Sequence, residues 1–194
     1  MSFTEEVDYT DTRLPLDVST FARPEFDKES LAGSFDINMG RVPVLYYNDA
    51  IIGQSKSIER FLAKKFGLNG SNEIEEAHID MIGEHVSDIK QKYGDVRVGK
   101  SGEELAQAKA KFLTEDLPKW YQKLEKTLVL SQGFAVGSKI SLADVLIHGL
   151  VKDYFDDKEK SEAAIQGLPK LIASANAVET VAKTWLETRP VTSM

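Results

Sequence analysis

Cysteine is absent from this sequence of 194 residues. Disulfide bonds, cysteine-ligated metal sites and thiol nucleophiles are therefore excluded for the chain, and any sulfur chemistry must come from a bound small molecule. Histidine is scarce, with three residues. His78 and His85 lie seven positions apart on one predicted helix, but a metal ion there would need a third ligand such as Glu84 or Asp88. We therefore expect no metal site.

Excess positive charge and long apolar runs are also lacking. The formal net charge is -7, and phosphate binding needs a positive patch, so we expect no nucleic-acid partner. No run approaches the roughly 20 apolar residues that a membrane span needs, so we expect no membrane partner. The first thirty residues lack the basic flank and apolar centre of a signal peptide, which favours a cytoplasmic location.

The segment RVPVLYYNDAIIGQS, residues 41–55, predicts a β-hairpin that leads directly into a helix. Its two apolar runs are separated by Asn48-Asp49, a pair that is typical of tight turns. From Ser55 onward the apolar spacing becomes helical, and Gly67 ends the pattern. The apolar stripe of this helix consists of Ile58, Phe61, Leu62 and Phe66.

Two places in this segment could hold a small anionic ligand. The helix start at Gln54-Ser55 offers unpaired backbone N–H groups and the positive end of the helix dipole, which favour a carboxylate. The alternative is that Ser55 only caps its own helix. If the Val42-Pro43 bond is cis, the backbone groups of Val42 are free to pair with an extended peptide. The alternative is a trans proline that opens an edge strand.

The chain beyond this segment is predicted to be helical. Apolar spacing predicts long helices over residues 73–93 and 103–130, and Pro118 should kink the second because it removes a backbone hydrogen bond. Further along, Ser141 and Asp144 form a capping-box pattern that starts another helix. Ahead of the hairpin, residues 17–40 predict a long loop with one helical turn at most.

These segments together resemble cytosolic glutathione transferases, and most closely the sigma, mu, alpha and pi group. The resemblance implies an α+β fold, in which an incomplete thioredoxin-like domain over residues 1–67 precedes an all-α glutathione-transferase C-terminal domain over residues 73–194. It also implies a homodimer. In the order of that family, it is carried by GRVPVL, IGQSKSIERFLAKKFGL, EIEEAHIDMIGEHVSDI, SLADVLI and VAKTWLETRP.

The resemblance assigns the parts of a glutathione site to residues of this chain. Arg41 and Val42 match the pair before the cis-proline, whose backbone groups hold the cysteinyl part of glutathione, and Pro43 matches that proline. Gln54 and Ser55 match the pair that binds the γ-glutamyl end.

Three further residues match by the same resemblance. Asp88 matches an acidic residue that reaches the γ-glutamyl amine of the glutathione in the opposite subunit. Ser141 and Asp144 match the cap of a helix that is needed for folding, so the resemblance makes them structural rather than catalytic.

The catalytic hydroxyl of that family has no counterpart here, so the catalytic residue is unknown. In the family, a Tyr or Ser on the first strand hydrogen-bonds the glutathione thiol. The segment VDYTDTRL, residues 7–14, matches the second strand instead, and Tyr9 is therefore not assigned as the catalyst. We expect either that residues upstream of Met1 are missing, or that residues 1–38 cover the exposed hairpin edge in another way.

The resemblance supports two functions. In the first, the protein is a transferase that binds glutathione as a substrate and conjugates its thiol to a small electrophile. In the second, it is a catalytically inactive protein of the same fold that acts as a binding or structural subunit, because a fold alone does not determine function.

Overall fold

The computed structural model describes residues 7–17, 19–129 and 132–189. They form two units, one that ends at Leu62 and one that begins at Ala63. The domain limits drawn from the sequence, at residues 67 and 73, stay a prediction.

The first unit is built around the predicted hairpin. Strands β1 (Val44–Tyr47) and β2 (Ala50–Gly53) pair antiparallel, and their adjoining ends face each other across a two-residue turn. Asn48 in this turn has a φ of 51°. Asparagine tolerates this left-handed conformation, which the favoured two-residue hairpin turn requires. The predicted hairpin is confirmed.

Helix α2 (Ser55–Lys65) begins one residue after β2, as predicted. It ends just before Gly67, whose φ of 70° lies in the left-handed region that glycine adopts readily. The ring of Phe61 meets that of Tyr47 edge to face, with 5.2 Å between centroids. This contact packs the helix against its own hairpin.

The segment before the hairpin contains more structure than the predicted loop. Helix α1 (Pro24–Leu31) and a short 3-10 turn (Asp36–Asn38) occupy it. Pro24 stands where a helical N–H would be unpaired in any case, and acidic side chains in the first turn complement the helix dipole. The helix buries none of its residues. A helix without a buried face does not need apolar residues at helical spacing, so nothing in the sequence indicated it. The prediction of a long loop with one helical turn over residues 17–40 was therefore wrong.

The strand predicted over residues 7–14 is not formed. These residues have no regular secondary structure, and within the described part of the chain the sheet consists of β1 and β2. A strand is defined by its pairing, and residues 7–14 have no such partner there.

The second unit is helical over its described residues, and its largest buried side chains form one apolar cluster that includes Tyr121, Phe155 and Leu171. Within the described ranges, no helix is both long and apolar enough to cross a membrane. The helices in chain order are α3 (Glu73–Arg97), α4 (Gly102–Lys111), α5 (Leu117–Thr127), α6 (Leu142–His148), α7 (Lys158–Ala163), α8 (Pro169–Val181) and α9 (Lys183–Thr188).

The single helix predicted over residues 103–130 is interrupted. A π-helical turn (Phe112–Asp116) separates α4 from α5, and the last residue of the prediction lies outside the described residues. Pro118 is the second residue of α5, where an N–H has no partner within the helix, so its missing donor costs no α-helical hydrogen bond. The wider π-helical turn ends two residues before it.

The carboxylate of Asp144 joins three segments of the second unit and is fully buried. Its Oδ2 accepts hydrogen bonds from the backbone N–H and the hydroxyl of Ser141, both at 2.9 Å. Its Oδ1 accepts bonds from the N–H of Ala135 and the hydroxyl of Ser174, both at 2.7 Å. The capping box predicted at Ser141 is present, and its acidic member also anchors a loop and α8.

An ion pair fastens the end of α9. The guanidinium of Arg189 donates two hydrogen bonds to the carboxylate of Asp153, at 2.9 and 2.7 Å, and holds the pKa of that carboxyl below its usual range. His148 is buried, with its Nδ1 4.0 Å from Asp153 Oδ2. Burial lowers the pKa of this imidazole, so it is neutral at neutral pH.

We predict that Asp144→Ala destabilises the second unit by about 3 kcal/mol or more, because it leaves buried donors without an acceptor. Asp80→Ala, which removes an exposed carboxylate from α3, is the matched control and should change little. Urea unfolding followed by circular dichroism measures both. Equal stability of the two variants would contradict the anchoring role of Asp144.

We predict that Arg189→Met lowers stability at neutral pH by on the order of 1 kcal/mol, because a bidentate but partly exposed ion pair is lost. The pKa of Asp153 is depressed in the folded state, so the pair stabilises above the unfolded value of about 3.9 and its contribution disappears as the pH falls through the folded pKa. The stability gap between the wild type and Arg189→Met should therefore close in acid. Lys183→Met, which breaks an exposed pair with Glu187, serves as the control, and a gap that does not depend on pH would rule out the ionic explanation.

Candidate functional site

The loop before β1 presents free backbone groups. The Val42–Pro43 peptide bond is cis, as the resemblance implied. Neither the N–H nor the C=O of Val42 has a hydrogen-bond partner among the described residues, and the residue is 50% exposed. Both groups can therefore pair with an extended ligand that lies beside the loop.

Gln54 is the residue from which α2 starts. Its C=O accepts the N–H groups of Ser57 and Ile58, at 2.9 and 3.0 Å, and its φ is 67°. Ser55 is therefore the first residue inside the helix and does not cap it. In the described part of the chain the Ser55 hydroxyl forms no hydrogen bond, and both Gln54 and Ser55 are exposed. Their polar side chains are thus available to a ligand.

Asn38 connects these two places, and the sequence did not point to it. Its side-chain Nδ2 donates to the C=O of Arg41 at 2.9 Å and to the C=O of Pro43 at 3.0 Å. Its Oδ1 accepts the N–H of Gln54 at 2.9 Å. The residue is 3% exposed. One buried amide therefore holds the backbone on both sides of Val42 and at the start of α2.

Gly53 makes room for this amide. A Cβ at position 53 would lie 2.7 Å from the Cβ of Asn38 and 2.9 Å from its Oδ1, which is too close for real atoms. In the sequence, the glycine directly before Gln54-Ser55 was the one sign that another group lies close to the backbone there. It does not identify Asn38 as that group.

The remaining predicted residues of this unit are solvent-exposed. The guanidinium of Arg41 lies 3.8 Å from the sulfur of Met39, while its C=O is the one held by Asn38. Tyr9 is 68% exposed and lies outside any strand. The structure therefore gives no reason to assign Tyr9 as the catalytic residue.

Asp88 belongs to the second unit and lies exposed on α3. Helical spacing places it on the same face as Ile74 and Met81, which are 67% and 37% exposed. The side of α3 that carries Ile82 and Val86 is buried in the core. The helix therefore has a second, partly apolar face on which these described side chains are exposed.

No cluster of three or more His, Asp or Glu side chains in the described ranges is arranged to hold a metal ion. The groups that are open to a ligand in the first unit are the backbone N–H and C=O of Val42, the side-chain amide of Gln54 and the hydroxyl of Ser55, and such groups suit a polar organic ligand.

The hairpin follows a cis-proline loop and leads into a Gln-Ser helix start, and the helical unit contains a buried Ser–Asp cap. These are the features that the resemblance to glutathione transferases implied, and they indicate a glutathione-transferase fold. A sequence profile described as the glutathione S-transferase C-terminal domain matches residues 87–189. A glutathione S-transferase of Plasmodium yoelii yoelii is 32% identical over 178 residues, which cover 91% of this chain and 78% of that protein.

Solved structures agree. A pi-class glutathione S-transferase of Onchocerca volvulus matches with a TM-score of 0.72 at 28% identity, covering 87% of this chain and 78% of that one. Monomeric Na-GST-3, a glutathione S-transferase from the hookworm Necator americanus, matches with a TM-score of 0.68 at 26% identity, covering 87% and 83%. The chain belongs to the glutathione S-transferase family. The predicted fold class, an incomplete thioredoxin-like domain followed by an all-α domain, is confirmed.

Proposed function

We propose that this protein binds glutathione and conjugates its thiol to small electrophilic molecules. The proposal rests on one observation: the same unit contains both the unbonded backbone groups of Val42 and the exposed helix start at Gln54-Ser55. The similar proteins are named glutathione S-transferases. The inactive alternative is less favoured, because the similar proteins and solved structures are named glutathione S-transferases.

Each half of the site suits one part of the tripeptide. The N–H and C=O of Val42 pair with the backbone of the cysteinyl residue, in the manner of an added strand, and Arg41 flanks that contact. The α-carboxylate of the γ-glutamyl residue binds at Gln54 and Ser55, where the helix dipole and the Ser55 hydroxyl favour an anion.

The reaction requires the thiolate of the bound glutathione. A free thiol titrates near pH ~8.5, so a donor that stabilises the thiolate raises its reactive fraction at neutral pH. With an aryl chloride, the sulfur forms a bond to the ring carbon and chloride leaves with its bonding electrons. The side chain that supplies the stabilising donor is unassigned in this chain. A cytoplasmic location suits this chemistry, because the cytosol maintains reduced glutathione.

We further propose that the protein forms a homodimer through the exposed face of α3. Ile74 and Met81 present apolar surface there, and such surface is favourably removed from water by a partner. Asp88, on the same face, would then lie near the partner's site, where its carboxylate can pair with the γ-glutamyl amine.

We predict that the protein is retained on immobilised glutathione and turns over a chlorodinitrobenzene. Ser55→Ala should weaken glutathione binding about tenfold, because a hydrogen bond to a charged group is lost. Ser57→Ala, which removes a hydroxyl from the same helical turn, is the matched control and should bind normally.

Three outcomes are informative. Binding with turnover supports the transferase. Binding without turnover supports the inactive alternative, and the absence of both would leave the fold with a packing role.

We predict that light scattering on a sizing column gives twice the chain mass of 21.6 kDa. Met81→Glu should shift the protein towards the single-chain mass, because a charge replaces apolar surface at the interface. Val98→Glu places the same charge at the exposed end of α3 and should leave the mass unchanged. A wild type that elutes as a single chain would refute the dimer and, with it, the role of Asp88 across the interface.

A further inference from the structure

We propose that Asn38 is a positioning residue for glutathione: it fixes the distance and orientation between the two halves of the site, Val42 on one side and Gln54-Ser55 on the other. The inference rests on the proposed function, because the ligand that spans both halves is glutathione.

The bonds of Asn38 bracket the first half. Its Nδ2 donates to the C=O of Arg41 and to the C=O of Pro43, the residues on either side of Val42. Those two carbonyls are thereby held inward, and the N–H and C=O of Val42 keep no protein partner within the described residues. The amide thus determines which backbone groups face the ligand.

The third bond of Asn38 holds the second half. Its Oδ1 accepts the N–H of Gln54, whose φ of 67° is sterically unfavourable for a residue with a Cβ. Such a conformation persists only where the surroundings determine it. The orientation of Gln54, and with it the direction in which Ser55 and α2 leave the hairpin, therefore depends on this acceptor.

Asn38 itself has little freedom to move. Its N–H donates to the C=O of Phe35 at 2.9 Å, and its C=O accepts the N–H of Arg41 at 3.2 Å. Its side chain lies over Gly53, where a Cβ would be 2.7 Å away. The amide is therefore a rigid connection between the loop and the helix start.

This rigidity should affect the binding of glutathione and not the binding of the electrophile. A peptide that contacts both halves gains affinity when their spacing is set in advance, because less ordering is needed on binding. Loss of the connection should therefore raise the Kd and the KM for glutathione. The KM for the electrophile, measured at saturating glutathione, should stay the same.

The test compares Asn38→Ala, Asn38→Asp and the control Ser34→Ala. Ser34→Ala removes a hydrogen bond between side chains of the same unit, from Ser34 Oγ to Glu29 Oε2, and touches neither half of the site. Calorimetry gives the Kd for glutathione, steady-state kinetics separates the two KM values, and amide hydrogen exchange reports on the N–H of Gln54.

Asn38→Ala should weaken glutathione binding about tenfold or more, since buried groups lose their partners, and should accelerate exchange at Gln54. Asn38→Asp keeps the acceptor for Gln54 but loses both donors. Its Gln54 amide should therefore stay protected while binding weakens. Ser34→Ala should match the wild type in both measurements.

If Asn38→Ala does not fold, Gly53→Ala provides the same test, because the added methyl group would lie 2.7 Å from the Cβ of Asn38 and therefore displaces that residue while leaving its amide intact. It should weaken glutathione binding and expose the Gln54 amide.

An Asn38→Ala variant that binds glutathione as tightly as the wild type overturns the positioning role and leaves the proposed function standing. Equal loss of affinity in Ser34→Ala also overturns it, because the effect would then be general destabilisation. A wild type that fails to bind glutathione refutes both the proposed function and the role of Asn38.

Discussion

A buried carboxylate, satisfied by hydrogen bonds, organises the larger unit. In the described part of the chain no cation pairs with Asp144, and its solvation comes from the four donors of Ser141, Ala135 and Ser174. A polar side chain can leave water only when such donors replace its bonds to water. The start of α6, the loop before it and α8 must therefore be in place together. The apolar cluster packs around segments that this carboxylate has aligned.

In the smaller unit a buried polar side chain also joins separate segments through hydrogen bonds, but this side chain, Asn38, is neutral. Asn38 offers two donors and one acceptor, and its position in the loop lets it satisfy three backbone groups that regular structure leaves unpaired. In both units a short buried polar residue, and not an apolar contact, determines where a helix begins. The difference lies in the result: the bonds of Asp144 stabilise a core, whereas those of Asn38 leave neighbouring groups open to solvent and hence to a ligand.

The parts of the fold that could be predicted from the sequence depend on neighbours along the chain. The hairpin with its Asn48 turn, the helix from Ser55 to its stop at Gly67, and the Ser141–Asp144 cap all have local signatures, and all are observed. The resemblance to glutathione transferases added the cis bond at Pro43, which residue statistics alone would not support.

The parts that escaped prediction depend on contacts between distant positions or on exposed surface. Helix α1 has no buried residue, so no apolar period marks it. A proline within a helical pattern can be accommodated by a kink or by a break between two helices, and apolar periodicity does not distinguish the two. Here a π-helical turn before Pro118 separates two helices. Asn38 meets Gln54 across sixteen positions of chain, and an asparagine in a loop has no pattern that identifies such a partner.

The fit of Asn38 over Gly53 links two positions that are not adjacent in sequence. The first atom that a side chain at position 53 would meet is the Cβ of Asn38, at 2.7 Å, and every residue except glycine carries that atom. Replacing the asparagine therefore does not make room for a side chain at position 53 unless the backbone of the loop also moves away from β2. Among descendants of this gene, the glycine should be lost only in lineages that have rebuilt the loop before the cis-proline.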